Sequence, residues 1–129
     1  MKEIWHQVFL ARTGQLLAAR VTIASTWGAR MIGLLGHRAL ADGEALFLPG
    51  CRSIHTWGMR FTIDALFVDR AWRVVAVHRG LKPWRFVAPV WGACGVVEVR
   101  SGVLEEAGVR VGDQCHLRST STVEHHARG

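Results

Sequence analysis

Short apolar runs alternate along this chain with turn-forming residues, and most of the runs are rich in β-branched side chains. Runs of this length and composition are typical of strands rather than helices. The pattern predicts strands near residues 45–48, 61–68, 74–78, 95–100 and 114–117. Residues 80–89 contain two prolines and are predicted to form a surface loop.

The N-terminal part combines a predicted hairpin with a predicted helix. Two apolar runs within residues 8–19 flank the turn residues Thr13 and Gly14, and residues 21–23 extend or follow the second strand. Residues 25–36 are predicted to form the one substantial helix, with Ser25 or Thr26 as its N-cap. Residues 102–108 are expected to hold at most one further turn of helix.

These elements predict a mainly β (α+β) fold without regular βαβ alternation. We expect a small, mainly antiparallel, barrel-like or two-layer β domain with one N-terminal helix. Residues 1–118 are predicted to form this single domain. Residues 119–129 are rich in Ser and Thr and are predicted to be a disordered C-terminal tail.

Composition narrows the function classes only slightly. With 129 residues, half of them hydrophobic, the chain can build one core, and no apolar run is long enough to span a membrane. No signal-peptide pattern is present, so a cytoplasmic protein is expected. The three cysteines, Cys51, Cys94 and Cys115, form no CxxC pair, and we expect reduced thiols. A monomer is expected.

The formal net charge of +6 favours acidic partners. The basic residues are scattered along the sequence without forming a block, which disfavours a nucleic-acid partner, and the six tryptophans are more often packing residues than base-stacking platforms. A weak nucleic-acid or acidic-partner binder therefore remains an alternative function.

Asp64 is the most informative residue, because it interrupts a strongly apolar run. A carboxylate that leaves water must be paired or hydrogen-bonded. We predict that Asp64 is buried and that it holds the preceding loop through the backbone amides of residues 54–59, the His55 ring or Arg60. Its removal is expected to cost stability.

The loop before Asp64 carries the candidate site residues: Cys51, His55, Trp57, Arg60 and Asp64. We predict a non-enzymatic domain that binds an unknown small ligand or protein partner through the surface of residues 51–60, together with the loop containing Trp84 and Phe86. The alternative is a small hydrolase-like enzyme that uses Cys51, His55 and Asp64. The sequence leaves open whether the protein is an enzyme.

Metal binding and a further acidic site are both disfavoured by the pattern. Cys51, His55, Cys94 and the Cys115–His116 pair have poor spacing for a zinc site, so neither a metal nor a cofactor is predicted. Glu98 and Arg100 share one face of a predicted strand, and we expect that face to be exposed. Asp113, after Gly112, is expected to be a turn residue.

Four segments in order resemble the uncharacterised family called domain of unknown function 192. They are residues 29–38, similar to the family's Arg-x-x-Gly-Leu-Met-x-Arg helix; 44–47; 61–69, similar to Ile-Pro-Leu-Asp followed by an apolar strand; and 97–102 with 108–113. The resemblance implies a compact β-rich fold with one N-terminal helix and no established activity. Thr62 stands where proline is usual, and residues 54–59 replace the usual aromatic-Met-x-Asn-Thr run.

Overall fold

The computed structural model describes residues 4–24 and 40–121, most of which lie in strands. The elements are β1 (Ile4–Leu10), β2 (Leu16–Ile23), β3 (Glu44–Pro49), β4 (Ile54–His55), β5 (Ile63–Val68), β6 (Val74–Leu81), β7 (Phe86–Val87), β8 (Gly95–Arg100), α1 (Val103–Glu106) and β9 (Cys115–Ser121). The mainly β prediction is confirmed, and α1 is the single helical turn expected within residues 102–108. The helix predicted at residues 25–36 lies outside the described residues.

Two predicted segments differ from the observed elements. β9 runs through Ser121 and pairs with β1 along its length, so residues 119–121, predicted to begin a disordered tail, belong to a strand. Residues 122–129 of that tail lie outside the described residues. The predicted loop 80–89 contains the end of β6 and the short strand β7.

Within residues 4–24 and 40–121, no helix is long and apolar enough to cross a membrane.

The predicted N-terminal hairpin is confirmed. β1 and β2 pair antiparallel, with Val8 opposite Ala18 and Phe9 opposite Leu16. The turn between them needs a left-handed residue, and Gly14 supplies it with a φ of 73°. Its amide donates to the Leu10 carbonyl at 2.8 Å and closes the turn.

Seven strands form one mixed sheet in the order β6-β5-β8-β3-β2-β1-β9. β2 and β3 run parallel, with Val21 opposite Ala45, and the other neighbouring pairs of this sheet are antiparallel. The parallel pair follows from the long connection between β2 and β3, since a hairpin turn joins only antiparallel strands.

The two ends of this sheet meet at one corner. Arg73, just before β6, forms a bridge to Gln114, just before β9, and the Val74 amide donates to the Asp113 carbonyl at 2.8 Å. The sheet therefore curls on itself. It is not a closed barrel, because the bonds described between its two end strands are confined to this corner. The barrel-like prediction was wrong to that extent.

The inside of the curled sheet holds one apolar cluster, the inner core. It consists of Val8, Leu10, Leu17, Ala18, Val21, Ala45, Phe47, Leu66, Val68, Val74, Val97, Val99, Leu104, Ala107, Val109 and Cys115. Strand side chains in this set come from alternate positions, as the period of two requires, except for the adjacent Leu17 and Ala18 of β2, where the pairing with β1 is irregular. Leu104 of α1 is fully buried in the same cluster.

A second apolar cluster, the outer core, lies on the opposite face of the sheet. It consists of Ala24, Leu40, Leu46, Leu48, Ile54, Met59, Ile63, Ala65, Phe67, Val87, Ala93 and Val96. Ile54 and Val87 come from β4 and β7, which pair as a separate two-stranded sheet. The small sheet thus covers the large one and presents its own outer side to solvent.

Candidate binding surface

Residues 52–57 and 84–91 run side by side and form a two-stranded feature, named here the aromatic ribbon. Ile54 is opposite Val87 and His55 is opposite Phe86. Ile54 and Val87 are buried in the outer core, so alternation turns His55 and Phe86 outward. The ribbon therefore has one apolar side that anchors it and one aromatic side that faces solvent.

Thr56 holds the two halves of the ribbon together. Its hydroxyl donates to the Lys82 carbonyl at 2.6 Å and accepts the Arg85 amide at 2.8 Å. Its own amide donates to the Arg85 carbonyl at 2.8 Å, and its carbonyl accepts the Trp84 amide at 3.0 Å. Thr56 is fully buried, and these bonds satisfy its polar atoms. The loops are thus fixed relative to one another at this end.

Three tryptophans occupy three tight turns at the ends of the ribbon. Trp57 precedes Gly58, Trp84 follows Pro83, and Trp91 precedes Gly92. Their exposed fractions are 52%, 67% and 90%, and Phe86 between them is 60% exposed. At the Trp91 end, the Val90 amide donates to the Arg52 carbonyl at 2.8 Å. The surface is therefore aromatic from one end to the other.

Trp84 is held in a strained backbone conformation. Its φ is 64°, a region that a bulky non-glycine residue rarely adopts. Such strain costs about 1–3 kcal/mol, and strained residues cluster at functional sites. Glycine would fit this turn without strain, so the exposed indole is held here at a backbone cost.

The sequence around the ribbon carries one sign of charge. Residues 50–63 and 70–97 contain no Asp or Glu, and they contain seven basic residues: Arg52, Arg60, Arg70, Arg73, Arg79, Lys82 and Arg85. Arg52, Arg60, Lys82 and Arg85, which lie in or beside the ribbon, are exposed. The ribbon therefore combines aromatic rings with positive charge and no neighbouring carboxylate from its own segments.

Asp64 is fully buried, as predicted, but its donors come from other parts of the chain. Its Oδ1 accepts the Gly80 amide at 2.9 Å. Its Oδ2 accepts the amides of Gly102 and Leu104 at 3.0 Å and 3.1 Å. The carboxylate thus joins β5 to the end of β6 and to the start of α1, where two backbone amides have no partner within the helix.

The predicted link from Asp64 to the preceding loop is wrong. Asp64 shares a face of β5 with Leu66, which points into the inner core, whereas Ile54 and Met59 of the loop pack into the outer core on the other side of the sheet. The period of two along β5 separates them. Asp64 is therefore a structural anchor and does not belong to the aromatic ribbon.

The structure brings only some of the predicted site residues together. The His55 and Trp57 rings lie with centroids 4.8 Å apart, and the His55 Nδ1 accepts the Trp57 amide at 3.3 Å. Arg60 is exposed beyond the turn at Gly58, and Cys51 is half-buried against the outer core. Because Asp64 faces the inner core, the hydrolase-like arrangement lacks its carboxylate.

The cysteines are spread over both cores. Cys115 is fully buried in the inner core, whereas Cys51 packs against the outer core. Burial raises the pKa of the Cys115 thiol to about 11, so this group stays protonated at neutral pH. In the part of the chain that the structure describes, no three His, Cys, Asp or Glu side chains are grouped so that they could hold a metal ion.

The exposed face expected for Glu98 and Arg100 is also wrong. β8 lies between β3 and β5, and Glu98 is fully buried opposite Leu46 and Ala65. Arg100 instead pairs with Asp42 and with Glu106, the latter at 3.1 Å. The alternating pattern identified the shared face but not the outer core that covers it.

Sequence reasoning overlooked Thr56 and Trp91. The Trp-Gly pair at residues 91–92 is a turn signal that was available, and it would have placed Trp91 at a turn. Thr56 has no local signal, because its partners Lys82 and Arg85 lie 26 and 29 residues further along the chain.

A family model and several known proteins match this chain. The model of domain of unknown function 192, described as an uncharacterised conserved region, matches residues 8–117. A UPF0127 protein of Thermococcus sibiricus is 32% identical over 105 residues, which cover 78% of this chain and 68% of that protein. A UPF0127 protein of Pyrococcus furiosus is 40% identical over 62 residues, 48% of this chain and 53% of that protein.

Two crystal structures share the fold. One is a protein of Sinorhizobium meliloti 1021 described as a "putative transcription regulator", with a TM-score of 0.70 and 20% identity over 91% of this chain and 94% of that one. The other is a protein of unknown function from Novosphingobium aromaticivorans, with a TM-score of 0.68 and 20% identity over 86% of this chain and 82% of that one. At this identity, the likeness shows the fold alone.

Proposed function

Because the chain belongs to the domain of unknown function 192 family, which is uncharacterised, we propose a function from its own surface. The protein is a non-enzymatic binding domain, and the aromatic ribbon is its recognition surface. The observation that carries this proposal is the strained, exposed Trp84 beside Phe86, on loops that Thr56 holds rigidly together. Rigid aromatic residues bind with little loss of conformational entropy.

The partner is anionic. Four exposed basic residues in or beside the ribbon, in segments without a carboxylate, make a positive field, and the protein carries a net charge of +6. Arg side chains add directed hydrogen bonds to carboxylates and phosphates. Acidic proteins, anionic lipids and nucleic acids all carry such carboxylate or phosphate groups.

The substitution Trp84→Gly tests the proposal, because it removes the indole without requiring the turn to change. Three anionic probes are titrated against the protein: phosphatidylglycerol vesicles, a single-stranded oligothymidylate and a peptide rich in Asp and Glu. We expect at least one probe to bind and to lose affinity in Trp84→Gly. The control is Val111→Ser, which removes an exposed apolar side chain outside the ribbon. Equal affinity of all variants for every probe would refute the proposal.

The enzymatic alternative predicts a reactive Cys51. A nucleophilic thiol needs a lowered pKa, supplied by a base such as His55. We expect Cys51 to react with a thiol probe at neutral pH no faster than an ordinary exposed cysteine, and His55→Ala to leave that rate unchanged. A fast reaction that depends on His55 would support the enzyme instead.

A further inference from the structure

We propose that the anionic partner is the surface of a lipid bilayer, into whose headgroup layer the tryptophans of the aromatic ribbon insert. This inference rests on the proposed function and names the partner of that same surface. It differs from a membrane span, because the protein docks on the bilayer from one side through its loops.

The position of the tryptophans in turns favours a bilayer. Trp57, Trp84 and Trp91 each lie in a tight turn rather than along a strand. All three side chains are exposed, which suits insertion into a soft layer. Tryptophan is the side chain enriched at the membrane–water interface, where its ring is buried and its N–H remains hydrated.

The same geometry argues against a stacking platform for single-stranded nucleic acid. Such platforms use aromatic rings with free faces along a groove or a sheet. In the ribbon, His55 and Phe86 project from the strands, and the His55 ring already lies against the Trp57 ring, with centroids 4.8 Å apart. The ribbon therefore offers few free ring faces for successive bases.

The length of the ribbon argues against a single small ligand. At one end of the ribbon the Trp84 amide donates to the Thr56 carbonyl. At the other end the Val90 amide donates to the Arg52 carbonyl, and Trp91 follows Val90. Thr56 and Arg52 are four residues apart, which is about 13 Å of extended chain. Aromatic residues separated in this way meet an extended surface more readily than one compact molecule.

The charges around the ribbon supply the attraction that brings the protein to the bilayer. Arg52, Arg60, Lys82 and Arg85 are exposed near the tryptophans, and their segments contain no carboxylate. Each basic residue near an anionic bilayer adds about 1 kcal/mol to the binding free energy, which is about fivefold in affinity. Insertion of the aromatic rings adds the burial of apolar surface. This combination of basic and aromatic side chains is the one that stable interfacial binding requires.

The experiment measures co-sedimentation of the full chain with vesicles of phosphatidylcholine alone or mixed with phosphatidylglycerol. We expect binding to the anionic vesicles and little to the neutral ones. Lys82→Ala is expected to weaken binding about fivefold. Trp84→Gly is expected to weaken it on the order of tenfold, because one buried ring is lost. Arg110→Ala and Val111→Ser alter exposed residues outside the ribbon, and both should leave the affinity for anionic vesicles unchanged.

Insertion is measured separately from adsorption by tryptophan fluorescence with lipids brominated in the acyl chain. We expect quenching that falls when Trp84→Gly is combined with Trp91→Ala, and that is lost when Trp57→Ala is added. Insertion would be refuted if the protein bound anionic vesicles without quenching, and if the double variant bound them as tightly as the wild type.

Failure of the membrane inference is distinguishable from failure of the proposed function. Binding to the oligothymidylate or the acidic peptide, but not to vesicles, with loss in Trp84→Gly would overturn the bilayer and retain the anionic partner. Absence of Trp84-dependent binding to any of the three probes would overturn both.

Discussion

Trp72 and Trp84 share a left-handed backbone but differ in what offsets the strain. Their φ values are 65° and 64°. The Trp72 ring packs on Phe47, with centroids 4.8 Å apart, and borders the inner core. Trp84 is exposed. At Trp72 packing compensates for the backbone strain, whereas the exposed Trp84 ring lacks such a contact among the described residues, and the binding role proposed above would account for it.

We expect Trp84→Gly and Trp72→Gly to change stability in opposite directions. Glycine relieves the strain at both positions, but it also raises the conformational entropy of the unfolded chain. At position 84 the net gain in the free energy of unfolding is roughly 1 kcal/mol. At position 72 the lost packing outweighs this gain, with a net loss of about 2–4 kcal/mol. Urea denaturation measures both. A loss of stability in Trp84→Gly would show that the indole supports the fold.

Removing the buried carboxylate of Asp64 is expected to lower the free energy of unfolding. Asp64→Ala leaves the amides of Gly80, Gly102 and Leu104 without their acceptor, at a cost on the order of 3 kcal/mol. Asp64→Asn retains one acceptor oxygen and is expected to cost less. Denaturant unfolding gives both values. Asp69→Ala is the control: its carboxylate also accepts two amides, but in an exposed turn where water replaces it.

At the scale of elements, local patterns predicted the strands and the hairpin but not the way they assemble. The turn at Gly14 and the apolar runs are encoded within a few residues of sequence. The donors of Asp64 lie 16, 38 and 40 residues away, so no window around Asp64 contains them. For the same reason, burial of Asp64 was predictable from its apolar neighbours, while its partners were not.

Gly95 shows how closely two elements of the sheet approach. A Cβ atom at this position would lie 2.7 Å from Cε1 of Phe47 on β3. Gly95→Ala is therefore expected to destabilise the protein by about 1–3 kcal/mol through overpacking. In a Phe47→Leu background the same substitution should cost less, because the clashing ring atoms are absent. Equal costs in both backgrounds, measured by denaturation, would contradict this steric explanation.

At the scale of the whole molecule, one ion pair ties the first turn of the sheet to the last. Arg12 lies in the β1–β2 turn, and its Nε and Nη2 donate to Asp113 at 3.0 Å each. The Arg110 amide donates to the same carboxylate at 2.8 Å, so Asp113 is the turn residue that its sequence context predicted. The hydrogen bond from Arg12 is the main reason that the pKa of Asp113 falls from 3.8 to about 2.

This lowered pKa predicts the pH range in which the ion pair stabilises the fold. A carboxyl group whose folded pKa is depressed contributes stability above its unfolded pKa and loses it as pH falls through the folded value. We expect Asp113→Asn to melt below the wild type at pH 7, and the difference to shrink between pH 3.8 and about 2. Melting curves across this range test it. A difference independent of pH would mean that Asp113 acts through its shape alone.

The pairing of β1 with β9 has a consequence for synthesis in the cell. Ile4 is opposite Ser121, so one side of β1 has no partner until the last strand leaves the ribosome. At ordinary translation speeds, the intervening residues take roughly 5–25 s to make. During this interval the nascent chain presents an unpaired strand edge, which is a template for aggregation. Chaperone capture is expected to be strongest on nascent chains that end before residue 115, and to fall once β9 has emerged.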